Sequence, residues 1–205
     1  ASGNINAKGV ELTATNDVTM SGGAVQANTA TIQANGTTDD SGFTMSSGLI
    51  EATTTNITGA NNVAVSGGSV KAITANIIAN GAAANSGFTM SGGLIDATNT
   101  NITSAKAISQ TAGSIVATNT VAKAGSDLSL ESRTNKLQNV SIEALDGNAN
   151  IVSGNDVEGA LNVHTVGIVG KDLTITNVAK GVENIIKVDN ELKAKGSIQI
   201  TNQEA

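Results

Sequence analysis

The sequence predicts an all-β protein, a right-handed parallel β-solenoid (β-helix) with three short strands in each coil of 20 or 25 residues and about nine coils. Three observations lead there. The stretch SGFTMSSGLIEATTTNIT at Ser41 returns as SGFTMSGGLIDATNTNIT at Ser86, with 15 of 18 positions identical across a shift of 45. Glycine-bearing turns open at Ser21, Ser46, Ser66 and Ser91, at spacings of 25, 20 and 25. Between them aliphatic residues alternate with polar ones, the period of a strand with one buried face.

The first strand of each coil carries Val18 and Met20, Phe43 and Met45, Val63 and Val65, then Phe88 and Met90, each pair flanking an outward Thr or Ala. The second follows the glycine turn and reads AVQA, LIEA, SVKA, LIDA and SIVA, with Val25, Ile50, Val70, Ile95 and Ile115 inward. Ala27, Ala52, Ala72, Ala97 and Ala117 are expected inward again two residues later. The third centres on Ile32, Ile57, Ile77, Ile102 and Ala122, always seven residues after the second-strand aliphatic. Ile5, Leu12 and Val18 fit the same spacing, so the chain is expected to start in mid-coil as a piece of a longer solenoid.

The two coil lengths have one source. From third strand to next first strand the gap is six residues at Ile57 to Val63, but eleven at Ile32 to Phe43 and Ile77 to Phe88. The extra residues lie in QANGTTDDSG and IANGAAANSG and are expected as long corner loops on one edge. Residues 1–125 thus form a regular solenoid with a 45-residue double-coil repeat, and 126–205 a less regular continuation in which SDLSL, KDLTIT and GSIQIT restart the first strand. Helices are excluded by the frequent Gly and β-branched residues and by the lack of a useful 3.6-residue period.

Composition agrees. With two Phe, three Met and no Trp, Tyr, Pro or Cys, the core must be built from Val, Ile, Leu and Ala in thin layers. Charged residues are 14% and the net charge is −6, which offers no basic patch for a phosphate backbone, so no nucleic-acid partner is expected. No run of 18 apolar residues exists to insert into a membrane.

Chemistry is sparse. The single His164 has no second His or Cys to complete a transition-metal site. Asp39 and Asp40 form the tightest carboxylate pair, yet the matching corner reads Ala84-Asn85, so these charges read as a solvated loop before they read as a calcium site. Arg133 is the sole arginine and no acid–base pair is placed for hydrolysis, which makes a polysaccharide-active enzyme a minor alternative. Threonine runs at Thr53, Thr98 and Thr118 keep ice binding as another, although other coils break the pattern. No catalytic group, cofactor or metal is expected. In-register stacking places Asn6, Gln26, Glu51, Lys71, Asp96 and Val116 in one outer column, with Lys71 between the carboxylates of Glu51 and Asp96. Gln110 falls in the inward slot of Met20, Met45, Val65 and Met90 and must find a partner there. Asp39, Asp40, Asn80 and Asn85 in the long corners are the candidate contact residues.

The cadence of GGAVQANTATIQANG, with AGSDLSLES and VGKDLTITN, resembles the repeat regions of filamentous haemagglutinin-like exoproteins of the two-partner secretion pathway. The resemblance covers nearly the whole chain and implies a non-catalytic shaft or spacer of an extracellular or cell-surface bacterial adhesin. It implies partners that are neighbouring coils or subunits end to end, or a host or bacterial surface receptor. The family's secretion-domain motif contains proline, and this chain has none. The alternative function is a subunit that polymerises end to end into a matrix filament.

Overall fold

The computed structural model describes residues 3–39, 41–83, 86–154, 160–179 and 185–204. Its strands are β1 (Asn4–Asn6), β2 (Gly9–Ala14), β3 (Val18–Ala34), β4 (Gly42–Gly59), β5 (Asn62–Val65), β6 (Ser69–Ala79), β7 (Gly87–Ser104), β8 (Ala107–Ala124), β9 (Leu128–Leu130), β10 (Lys136–Ala144), β11 (Ala149–Ser153), β12 (Leu161–Val169), β13 (Leu173–Ala179), β14 (Ile186–Val188) and β15 (Ile198–Glu204). All pair in parallel within one sheet that winds through about nine turns. A strand's partner is the next coil of the same chain, so Ile5 pairs with Val25, Val25 with Ile50 and Ile50 with Val70.

Several strands run 17 or 18 residues, far beyond one face, because the ladder continues around the corners. The turn after the first face is where register slips, between Met20 and Ala24 in β3 and between Met90 and Leu94 in β7. Glycine is required there. Gly48 has φ +97, and a Cβ on it would lie 2.8 Å from the Gly23 carbonyl oxygen of the coil below. A side chain at that point is opposed by backbone strain and by the 4.8 Å coil spacing together.

The core is a set of columns, one residue per coil. Phe43, Val63, Phe88, Ile108 and Leu128 stack along the first face, and Ile32, Ile57, Ile77, Ile102 and Ala122 along the third. From Ile32 onward their exposures are 0 or 1%. Fully burying each large aliphatic stabilises by about 1.5–3 kcal/mol, so thin layers suffice when every coil repeats them.

Beyond Gly125 the winding persists with altered proportions. β9, β11, β13 and β15 extend the first face, and β10, β12 and β14 the third. The first-face strand at Ala149–Ser153 is one that the spacing of the sequence does not announce. Pairing on the second face is last seen where Lys136 meets Val116 and Leu137 meets Ala117. A bulge between Ile142 and Ala144, which pair with Thr165 and Val169, sets two extra residues into β12 and leaves Val166 exposed.

Candidate functional site

The second-face column is in register. Asn6 pairs with Gln26, Gln26 with Glu51, Glu51 with Lys71, Lys71 with Asp96 and Asp96 with Val116. The expected electrostatic contact is not closed. Among the described residues the ion pairs within 4.0 Å are Lys123–Glu143 at 3.8 Å and Lys193–Glu191 at 3.0 Å, and Lys71 is in neither. The Glu51 carboxylate instead accepts from the Gln26 side-chain amide at 2.9 Å. Exposed long side chains gain too little from pairing in water to hold one geometry.

Beside this column three of the five alanines take the expected inward position and two take it only in part. Ala52, Ala97 and Ala117 are buried, whereas Ala27 and Ala72 are only partly so. They floor two shallow hollows along the corner, one lined by Glu51, Lys71, Thr53 and Ile73 and the other by Asp96, Thr98, Thr118 and Lys136. Their chemistry is that of alternating exposed charges over methyl groups. Among the described residues no three His, Asp or Glu side chains are grouped to hold a metal ion.

The long corners differ from each other. In the first, Asn61 of the following coil donates its side-chain amide to the carbonyl oxygens of Gly36 (3.1 Å) and Thr38 (2.7 Å) and to Ser41 Oγ (2.9 Å). Asn62 donates to the Asp39 carbonyl oxygen at 2.7 Å, and Asp39 is itself exposed. Asp40 and Asn85 lie outside the described residues. Asn80 is exposed in the second corner, where Lys106 and Ala107 stand 45 residues after Asn61 and Asn62. The described candidates, Asp39 and Asn80, thus stand in the two long corners and not in the charged column.

Gln110 is fully buried and forms a reciprocal amide pair with Asn135, Nε2 to Oδ1 and Nδ2 to Oε1, each 2.8 Å. Asn135 Oδ1 also accepts from the Ile115 N–H at 2.8 Å. His164 is half-buried and its Nε2 lies 2.8 Å from Ser141 Oγ one coil below, a satisfied contact on the outer third face.

Two sets of contacts escaped the reading of the sequence. Asparagine ladders run along the third face, Asn101 donating to Asn76 and Asn76 to Asn56, each 2.8 Å. A parallel ladder passes from Asn162 through Asn139 and Asn119 to Asn99. A column before the first face holds Asp17, Asn62, Asp127, Asn148 and Asp172. Each accepts on its side-chain oxygen a backbone N–H of the next coil, those of Gly42, Gly87, Asn148, Asp172 and Ser197. The backbone N–H of Ser197, and then its hydroxyl, hold the Asp172 carboxyl below the usual carboxylate range. Aligning Asn at the 20- and 25-residue shifts would have exposed the ladders through Asn56, Asn76 and Asn101 and through Asn99, Asn119 and Asn139, whereas the steps to Asn162, Asn148 and Asp172 are 23, 21 and 24 residues.

Taken together, the side chains that are fixed in place serve the stack, and the class so defined is a parallel β-solenoid. Comparison with protein-family models, with curated proteins and with solved structures returns no match.

Proposed function

We propose that the chain is a shaft or spacer segment of a secreted bacterial surface fibre, holding length and stiffness between other parts. The observation that supports this reading is the continuous inward stacking of one residue per coil, with polar side chains spent on coil-to-coil ladders. The cadence shared with filamentous haemagglutinin-like exoproteins supports the extracellular setting. The test deletes residues 42–86 from the parent fibre, which joins Ser41 to Gly87, the residue that pairs through Asn62 with the same place as Gly42. The expected product is shorter by about 9.6 Å and binds its surface as before. Loss of binding with strand content kept overturns the reading.

A further inference from the structure

The pairs Asn35-Gly36 and Asn80-Gly81 stand 45 residues apart at the same place in the two long corners, each after an alanine, and both asparagines are exposed. We propose that Asn80 is a site of spontaneous deamidation and isomerisation in the folded chain, and that Asn35 is protected by the fastening of its corner. In the reaction the glycine backbone nitrogen attacks the asparagine side-chain carbonyl carbon and loses its proton, and ammonia leaves. The cyclic imide then takes up water and opens to aspartate or isoaspartate. Water is the only co-reactant. Glycine is the residue whose lack of a side chain leaves its nitrogen most open to that approach.

In the folded chain this nitrogen is occupied. Gly36 N–H donates to the Asn16 carbonyl oxygen at 3.1 Å and Gly81 N–H to that of Asn61 at 3.2 Å. The corner must open before the imide can close, so the local opening equilibrium sets the rate.

The two corners open unequally. The first is held by four amide bonds from Asn61 and Asn62, and its Ser41 Oγ donates to the Thr38 carbonyl oxygen at 2.6 Å. In the second, Lys106 and Ala107 take those places, and among the described residues no side-chain hydrogen bond from that coil reaches the corner. Ser86 Oγ is buried there without a partner. Reaction at Asn80 adds a carboxylate, and in the isoaspartate a main-chain methylene, beside the bond from Asn80 N–H to the Gly59 carbonyl oxygen. The ladder at the end of β6 thereby loses its register. The inference is independent of what the shaft carries.

The test incubates the folded full chain at neutral to mildly alkaline pH and follows both sites by peptide mass spectrometry. Deamidation at Asn80 is expected at least about fivefold faster than at Asn35, the ratio that one net hydrogen bond represents. In denaturant the two rates should converge and exceed both folded rates. Equal or reversed rates in the folded chain, or a difference that persists in denaturant, overturn the proposal. In the variant Lys106→Asn/Ala107→Asn the rate at Asn80 should fall toward that at Asn35. An unchanged rate in a variant of native strand content also overturns it, and the comparison within the unsubstituted chain stands if the variant does not fold.

Discussion

Gln110 and Asn135, 25 residues apart, face each other inside the solenoid with each amide donating to the other's oxygen at 2.8 Å. The pair sits where aliphatic columns would otherwise continue, Gln110 above Met90 and Asn135 in line with Ile115. A buried amide deprived of its partner loses about 1–3 kcal/mol. Gln110→Leu is therefore expected to destabilise by that order. Adding Asn135→Ile should cost less than the sum of the two single changes, by a coupling of about 0.5–3 kcal/mol. Urea unfolding of the four proteins measures this, and strict additivity would show that the amides do not act as a pair.

Asp172 makes stability depend on pH in a definite direction. Its carboxyl is lowered from 3.8 by the hydrogen bonds from Ser197. A folded-state value below the unfolded one means that the contribution is fully present above the unfolded value and is lost as pH falls through the folded one. Asn62 and Asn148 occupy the same column, so Asp172→Asn keeps the fold and an acceptor. The melting temperature of the variant should lie below that of the parent at neutral pH, and the gap should narrow under acid, below about pH 4. A gap that is constant with pH contradicts the assignment.

Thr100 is fully buried on the third face and its hydroxyl has no partner, as are those of Thr55 and Thr120 in the same column. Val140 and Val163 continue that column with no hydroxyl at all. Thr100→Val removes an unsatisfied group at nearly constant shape, and a gain of about 1 kcal/mol is expected. Thermal unfolding that shows a loss would mean the hydroxyl is solvated after all.

Lys71 is a register marker with no closed ion pair, so its charge should matter more than its contacts. Lys71→Met is expected to change stability by less than about 0.5 kcal/mol. Lys71→Glu places three carboxylates in sequence with Glu51 and Asp96 and should cost about 0.2–1 kcal/mol, a cost that added salt removes. A salt-independent loss would point to packing of the lysine stem.

The fold was legible because each coil repeats one pattern, and any slip would have broken several columns together. Ile5, Leu12 and Ile102 lie where a shift of 20 or 25 places them. Legibility faded where side chains choose between partners. Glu51 takes Gln26 rather than Lys71, a choice governed by rotamer and solvation and not by spacing. The inward threonines at Thr55 and Thr100 are not separable from their polar runs by period alone, because alternation shifts by one at the corner. Ala149–Ser153 hid because its coil lies at odd spacings of 21 and 24 from its neighbours.

The backbone hydrogen bonds of this solenoid join coil to coil and so lie along its axis. Each face resists as a set of parallel bonds, but a coil at an end can peel away without disturbing the rest. A released coil of 20 residues changes from a rise of about 4.8 Å to a contour of about 70 Å. Pulled along its axis, such a solenoid is therefore expected to lengthen coil by coil rather than to break at one place.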